Sequence, residues 1–165
     1  ITYGFGGAIE WKGFDVSIFF QGTARVSLFE EGSTIVPFSS GYKNNDGFLR
    51  GVMENRWTVD NPDPNARYPR TIRPSDALDN NNTKKSSFWV RNAAFLRLKN
   101  AEIGYTFPKR WMEKMAIQNL RLYVSGVNLL TWAPDVHLFD PDLGSGDGRK
   151  YPPTRVFNVG LNINF

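Results

Sequence analysis

The sequence contains no cysteine and a single histidine, His137, among its 165 residues. The absence of cysteine excludes a disulfide framework and a thiolate metal site. One histidine in a segment of loop composition excludes a histidine metal cluster and a serine–histidine relay. The acidic pair Glu30-Glu31 lies in a loop segment without the apolar pocket that tunes a catalytic acid. We therefore expect no catalytic residues, no metal and no cofactor, and predict that the protein is not an enzyme.

Long apolar runs and charge of one sign are also missing. No stretch of about 18 apolar residues occurs, so a transmembrane helix is not expected. Lysine and arginine total 20 against 16 acidic residues, and the charges are scattered, which disfavours nucleic-acid binding. The sequence starts at Ile1 without an initiator methionine or a leader, so we expect it to be one piece of a longer protein.

Aromatic residues are abundant, at 15%, and apolar and polar residues alternate in several segments. Segment 157–165 shows this alternation most clearly. The odd-numbered positions are the apolar residues Phe157, Val159, Leu161, Ile163 and Phe165. The even-numbered positions are Asn158, Gly160, Asn162 and Asn164. Because successive side chains of a strand point to opposite faces, this period of two predicts a strand with one apolar and one wet face.

Five segments with this period predict five strands, at about 1–11, 14–22, 93–107, 118–131 and 155–165. Lys12-Gly13 predicts a tight hairpin between the first two strands, because glycine accepts a positive φ. The apolar parity changes near Lys99-Asn100, where either a β-bulge restores the facing or Leu96 and Leu98 point inward. It changes again around Ser125-Gly126, where the sequence favours another bulge. Aromatic residues cluster near strand ends, at Tyr3, Trp11, Phe14, Tyr105, Phe107, Trp132, Phe157 and Phe165.

The links between the predicted strands are alternately short and long. Links 12–13 and 108–118 are short, whereas 23–91 and 133–154 are long, polar and rich in glycine, proline, asparagine and aspartate. In an up-and-down meander, both short links then lie at one end of the sheet and both long links at the other.

Two helical segments are expected within these links. Pro108 favours a single helical turn at the start of the second short link. In the first long link, Asp46 could cap a helix whose apolar residues, including Val52 and Trp57, recur at helical spacing.

Outer-membrane β-barrels combine short periplasmic turns, long extracellular loops, aromatic girdles and tilted strands of about 9–11 residues. With the C-terminus on the periplasmic side, loops 23–91 and 133–154 are extracellular. Five strands cannot close a barrel, since single-chain bacterial barrels have about eight or more. We predict an all-β fold in which the chain forms the C-terminal five antiparallel strands of a large transmembrane barrel in the bacterial outer membrane. The alternatives are a soluble β-sandwich glycan-binding module and the tail of an unrelated porin or siderophore receptor.

Binding of sugars or peptides requires aromatic platforms beside hydrogen-bonding groups. In the long links the candidate ligand-binding residues are Trp57, Tyr68, Trp89, Arg91, Asp140 and Asp142. On the polar parity of the strands, the residues expected to face a wet lumen are Glu10, Asp15, Gln21, Arg121, Asn158, Asn162 and Asn164. Segment 140–148 fits the first ligands of an EF-hand loop but lacks the later ones, so a plain acidic loop is favoured over a calcium site.

Longer phrases carry a family resemblance. The phrase "FLRLKNAEIGYTFP", followed by "LRLYVSGVNLLTW" and "FNVGLNINF", resembles the C-terminal end of SusC/RagA-type TonB-linked outer-membrane proteins. The phrase "ENRWTVDNPDPNARYPR" resembles an external loop of this family, and "GGAIEWKGFDVSIFFQG" resembles the preceding hairpin. The resemblance covers nearly the whole chain. The phrase "DPDLGSGDGRKYPPTRVF" departs from it, which leaves the ligand open.

The resemblance implies a barrel of about 22 strands with an N-terminal plug, which imports oligosaccharides or peptides together with a SusD-like surface lipoprotein. Import would be energised by TonB, which would contact the missing N-terminal part. The resemblance also implies that the last strand is the signal for the barrel-assembly machinery, carried by Phe157, Leu161, Ile163 and Phe165. The remaining implied partner is outer-membrane lipid, and no nucleic acid is expected.

Overall fold

The computed structural model describes residues 1–32, 35–36, 49–71, 81–112 and 116–165. Within these ranges the strands are β1 (Thr2–Trp11), β2 (Phe14–Thr23), β3 (Ser27–Phe29), β4 (Val90–Asn92), β5 (Phe95–Thr106), β6 (Asn119–Trp132) and β7 (Val156–Asn164). The helices are α1 (Arg50–Glu54) and α2 (Lys109–Met112), with 3₁₀ turns at Asn81–Thr83, Ser87–Trp89 and Pro141–Leu143. No described helix is long and apolar enough to cross a membrane.

The chain folds as two compact units. The sheet unit comprises Ile1–Val26, Ala94–Pro134 and Pro153–Phe165, and the loop unit comprises Ser27–Ala93 and Asp135–Pro152. The sheet unit therefore collects the alternating segments of the sequence, and the loop unit collects most of the two long links.

The sheet unit is one five-stranded sheet in the order β1-β2-β5-β6-β7, with every neighbouring pair antiparallel. Its strands are 9 to 14 residues long and lie within two residues of the predicted ranges. This order is the predicted meander, because each strand pairs with the next long strand along the chain. The all-β fold expected from the sequence is confirmed.

The short links have the predicted geometry. Lys12 and Gly13 have φ values of 49° and 88°, as a two-residue hairpin requires. A side chain at position 13 would also clash, since a Cβ there would lie 2.7 Å from the carbonyl oxygen of Thr106. After Pro108, α2 forms the expected helical turn.

One of the two expected bulges is where the sequence predicts it, and the other is displaced. The β5–β6 register shifts between Leu98 and Asn100, which restores Leu98 to the apolar face. In β6 the irregularity lies at Asn128 and Leu129 rather than around Ser125-Gly126. Asn128 has a φ of 55°, a left-handed conformation that asparagine tolerates better than most residues, so the strand bends there.

The two faces of the sheet differ in polarity. Two apolar rows cross all five strands: Trp11, Phe14, Tyr105, Leu122 and Leu161, and then Ile9, Val16, Ile103, Val124 and Val159. Ile9 and Val159 are each 75% exposed. A β-sandwich would bury such a face beneath a second sheet, so this exposed apolar face does not fit the soluble alternative.

The loop unit has its own small core. Strands β3 and β4 pair antiparallel within segments for which the sequence predicts only loop. One buried cluster holds Ile35, Val36, Val52, Tyr68 and Trp89, and a second holds Leu28, Ala93 and Val136. Residues from both long links therefore share one folded unit.

The helix expected in the first long link is shorter than predicted. It spans only Arg50–Glu54, and Leu49 precedes it in an extended conformation without a side-chain cap. Asp46, the expected cap, lies outside the described residues. The side chain of Asn55 donates to the carbonyl oxygen of Gly51 at 2.8 Å where the helix ends. Val52 is 1% exposed, so the short helix still supplies a core side chain.

Candidate functional site

An ion-pair cluster lies on the polar face of the sheet, toward the end with the short links. Arg121 of β6 donates from Nε to Asp15 Oδ2 on β2 at 3.0 Å and from Nη2 to Glu102 Oε1 on β5 at 2.6 Å. A further hydrogen bond joins Arg121 Nη2 to Asp15 Oδ1. One guanidinium therefore bridges three strands and holds Asp15 in a bidentate geometry.

Gly104 makes this bridge possible. The register places it between Asp15 of β2 and Tyr123 of β6. A Cβ at position 104 would lie 2.5 Å from Arg121 Nη2 and 2.6 Å from Asp15 Oδ2. Such distances are too short for real Cβ atoms, so any side chain at this position would displace Arg121 or Asp15 from the observed geometry.

The residues expected to face a wet lumen share this polar face. The register pairs Glu10 with Asp15, Gln21 with Arg97, Asn158 with Ser125, Asn162 with Arg121 and Asn164 with Asn119. Arg97 is 1% exposed, and its Nε donates to Thr131 Oγ1 at 2.9 Å. Carboxylates therefore collect at the short-link end of the face, whereas a buried guanidinium lies near the opposite end.

Four charged side chains form a network inside the loop unit. Glu30 is fully buried, and Arg91 Nε lies 2.9 Å from Glu30 Oε2 without the alignment of a hydrogen bond. Arg67 Nη2 lies 3.5 Å from Glu30 Oε1, and Arg67 Nη1 donates to Asp135 Oδ1 at 2.7 Å. Asp135 Oδ2 also accepts a hydrogen bond from the backbone N–H of Asn92 at 2.8 Å. The network fastens Asp135, from the second long link, to residues of the first.

Asp135 within this network and Tyr68 beside it have shifted pKa values. Burial acts to raise the pKa of Asp135, but the hydrogen bonds from Arg67 and the Asn92 backbone outweigh it and hold that pKa below its usual value. Burial raises the pKa of Tyr68, whose hydroxyl accepts a hydrogen bond from Arg67 Nε at 3.3 Å. Asp135 is therefore ionised and Tyr68 neutral at neutral pH.

Three of the six ligand-binding candidates lie together around Glu30. Tyr68 and Trp89 are 1% and 2% exposed and pack with their ring centroids 6.4 Å apart. The guanidinium of Arg91 faces Glu30 and donates to the carbonyl oxygen of Phe88 at 2.6 Å. These side chains have visible structural roles in the loop unit, and their ligand contact stays a prediction.

The other three candidates lie nearer the surface. Trp57 is half-buried, and its backbone N–H donates to the Tyr68 carbonyl at 2.9 Å. Asp140 Oδ1 accepts from the backbone N–H of Asp142 at 3.0 Å, and so caps the 3₁₀ turn Pro141–Leu143. Among the described residues, no three histidine, aspartate or glutamate side chains lie close enough to hold a metal ion.

Trp89 borders two small cavities of the loop unit. One, of about 210 Å³, is lined by Pro69, Asn81, Asn82, Ser86, Phe88 and Trp89. The other, of about 180 Å³, includes Glu31 and Lys85 in its lining, and these two side chains pair at 3.1 Å. An indole beside polar groups is a suitable platform for a polar solute.

The sequence alone does not predict that Glu30, Arg67 and Asp135 form a network. It also does not predict that Glu102 pairs with Arg121. The one local signal for Glu30 is that it directly follows the apolar pair Leu28-Phe29. Nothing local indicates the other contacts, because Arg67 and Asp135 are 68 residues apart.

The predicted insertion signal lies on β7 and just beyond it. Phe157, Leu161 and Ile163 are on the apolar face and are 69%, 53% and 39% exposed, and Phe165 is 79% exposed. These side chains are accessible to a partner or to lipid, and their role in assembly stays a prediction.

No protein-family model matches this sequence. The chain is 30% identical over 177 residues to TonB-dependent receptor P3 of Formosa agariphila, a match that covers 99% of this chain and 16% of that receptor. It is 28% identical over 179 residues to TonB-dependent receptor P26 of the same organism, covering 100% of this chain and 17% of that receptor. The chain thus spans about one sixth of the length of these relatives.

Solved structures of the RagAB peptide transporter share the fold. One has a TM-score of 0.70 at 22% identity, covering 98% of this chain and 17% of that chain. A second, the RagAB peptide importer in the closed-closed state, has a TM-score of 0.70 at 23% identity, covering 99% and 17%. The sequence relatives show that the chain belongs to the TonB-dependent receptors, and the RagAB structures share the fold of its five-stranded meander.

Proposed function

We propose that this chain forms the C-terminal five strands and two extracellular loops of an outer-membrane receptor that imports nutrients with energy from TonB. The parent barrel has about 22 strands in this proposal, and its plug and TonB-contacting segment lie outside this chain. The cargo is an oligosaccharide or a peptide, received together with a SusD-like surface lipoprotein.

The exposed apolar face of the sheet is the observation that carries this proposal. Large apolar side chains stay uncovered across all five strands, from Ile9 to Val159, while the opposite face holds the Asp15–Arg121–Glu102 cluster. A barrel wall needs this arrangement, because lipid covers one face and a polar lumen covers the other. The relatives named as TonB-dependent receptors support the proposal that import depends on TonB.

The loop unit supplies the proposed contacts with cargo and lipoprotein. The Glu30, Arg67 and Asp135 network joins described segments of both long links, which favours a preformed surface over a flexible one. Trp57 offers a half-buried indole, and Asp142 an exposed carboxylate. We propose these two side chains as ligand contacts, with Tyr68, Trp89, Arg91 and Asp140 shaping the surface behind them.

Membrane location is tested on the full-length parent receptor in host membrane fractions. We expect it in the outer-membrane fraction, soluble only with detergent, and with a gel mobility that changes on boiling. Proteinase added to intact cells should cleave within 133–154 and leave 108–118 uncut. A water-soluble parent without a mobility change would overturn the proposal.

Import is tested by uptake of labelled oligosaccharides and peptides into cells that carry the parent receptor or its deletion. We expect energy-dependent uptake of one of these classes, which is lost on deletion and on loss of TonB. A Trp57→Ala receptor should import less at equal abundance, whereas Trp57→Phe should retain most uptake because it keeps an aromatic platform. Equal uptake with and without the receptor would contradict the import function.

A further inference from the structure

Exposed aromatic rings and exposed cations coincide at the short-link end of the sheet unit. Trp11 and Trp111 are 66% and 53% exposed. Lys12 Nζ lies 4.7 Å from the centroid of the Trp11 ring. Lys109 and Arg110 precede Trp111 in α2, and both are exposed. We call these five residues the cationic rim.

The rim is continuous with the apolar face. Ring centroids are 4.6 Å apart for Phe14 and Tyr105, 5.1 Å for Tyr105 and Phe107, and 6.1 Å for Phe107 and Trp111. Trp11 pairs with Phe14 in the β1–β2 register. An unbroken aromatic band therefore runs along the short-link end of the sheet from Phe14 to the helical turn that carries Lys109 and Arg110.

Acidic side chains of the neighbouring strand ends lie on the other face. Asp15 and Glu102 are engaged by Arg121, and Glu10 pairs with Asp15 in the register. Within the short links 12–13 and 108–118, the charged residues are Lys12, Lys109, Arg110, Glu113 and Lys114, four cations and one anion. The short links therefore carry a net positive charge, while the carboxylates of Asp15 and Glu102 lie on the polar face of the sheet.

We propose that the cationic rim binds the headgroups of anionic phospholipids, with phosphatidylglycerol as the model ligand. Indole rings favour the headgroup level of a bilayer, and lysine and arginine extend toward phosphates from stems that lie along apolar surface. Clusters of such cations at a membrane surface attract anionic lipid. This inference rests on the proposed membrane location of the sheet unit and adds a preference for one lipid class at one end of it.

Charge and position together favour phospholipid over another occupant. Whatever covers the apolar face must meet the rim, because the aromatic band joins the two without interruption. The covering phase of a barrel wall is lipid. Its headgroups supply anionic oxygens to Lys12, Lys109 and Arg110, which form no salt bridge with any residue that the structure describes.

The test uses the full-length receptor in detergent micelles with equal amounts of phosphatidylglycerol and phosphatidylcholine. Native mass spectrometry counts the lipids that remain bound. We expect bound phosphatidylglycerol to exceed phosphatidylcholine by about threefold. The triple variant Lys12→Gln, Lys109→Gln, Arg110→Gln should lose most of this excess, whereas Lys12→Arg with Lys109→Arg should keep it.

A matched control removes three exposed cations outside the short links, with Arg25→Gln, Arg50→Gln and Arg70→Gln. It changes the net charge equally and should leave the preference intact. If the control and the triple variant lose the phosphatidylglycerol excess equally, the excess depends on overall charge and the rim proposal fails. If the receptor binds both lipids equally, the rim proposal fails while the membrane location stands. If it binds neither lipid and stays soluble without detergent, the proposed function itself fails.

Discussion

Arg67 and Asp135 are 68 residues apart in the sequence, yet Arg67 Nη1 meets Asp135 Oδ1 at 2.7 Å. Their side chains are 23% and 36% exposed, so the pair lies at the margin of the core. Because the two residues come from different long links, this contact joins segments that a loop prediction treats as independent. Behind it, Arg67 also faces the buried carboxylate of Glu30 at 3.5 Å.

Asp135→Asn should loosen the loop unit. The substitution removes the charge that Arg67 pairs with, and solvent screening at this margin limits the loss to about 1–2 kcal/mol. Hydrogen exchange on the full receptor should show faster opening of β3 and β4 and unchanged protection of β6. The control is Glu54→Gln, whose partner Arg50 is 4.0 Å away and exposed, with an expected loss of about 0.5 kcal/mol or less.

The stability of the loop unit should fall at acidic pH. The folded pKa of Asp135 lies below its ordinary value of 3.8, so its contribution is present above about pH 4 and is lost as pH falls through the folded value. Protection of β4 should be level from about pH 7 to pH 5 and decrease below about pH 4. Asp135→Asn should remove this decrease. A loss of protection between pH 5 and 7 would assign the dependence to another group.

Arginine should be tolerated on one face of β6 and not on the other. Val124 is 44% exposed on the apolar face, and Ser125 follows it on the polar face, opposite Glu102. Val124→Arg should lower the free energy of unfolding of the receptor by about 2–4 kcal/mol, since it puts a charge against lipid. Ser125→Arg should cost about 1 kcal/mol or less. Urea titration of the refolded receptor in bilayers measures both, and equal costs would contradict the assignment of faces.

Gly104→Ala should break the bridge between Asp15 and Arg121, because the added Cβ would lie within 2.6 Å of both side chains. We expect a lower temperature for loss of the heat-modifiable form. Gly7→Ala in β1 is the control, since a Cβ there meets nothing within 4 Å. If both variants behave alike, Gly104 is not needed for the bridge.

Phe165→Ala should reduce the amount of assembled receptor rather than the stability of what assembles. Phe165 is 79% exposed, so truncation removes little packing. Its proposed role is recognition by the barrel-assembly machinery. Quantitative gels of outer-membrane fractions should show less folded receptor for Phe165→Ala and near-normal amounts for Phe165→Tyr. Normal assembly of the alanine variant would remove Phe165 from the signal.

The sheet could be predicted from the sequence because its information is local. Alternation over 157–165, the Lys12-Gly13 turn and the parity change at Lys99-Asn100 each arise within about ten residues. The displaced bulge shows the limit of this reasoning. A parity change near Gly126 looks like glycine-driven bending, but Gly126 pairs regularly with Ala101, and the left-handed residue is Asn128.

The candidate site was only partly predictable, because its contacts are between residues far apart in sequence. Aromatic residues in loops suggest ligand contact, yet Tyr68 and Trp89 form a core that depends on Ile35 and Val52. Arg121 is recognisable as a polar-face residue, but its two partners lie on β2 and β5. Those contacts depend on the register between paired strands, which cannot be read from the composition of any one segment.

The central claim is that lipid covers one face of β6 and a wet lumen the other. This chain has no cysteine. Single cysteine substitutions at Leu122, Tyr123, Val124 and Ser125, made one at a time, can therefore show whether each position faces water or lipid. In the full-length receptor in native outer membranes, cleared of other reactive thiols, we expect a water-soluble maleimide to label positions 123 and 125 and a lipid-soluble one to label 122 and 124. Uniform labelling by the water-soluble reagent at all four positions would contradict a membrane wall.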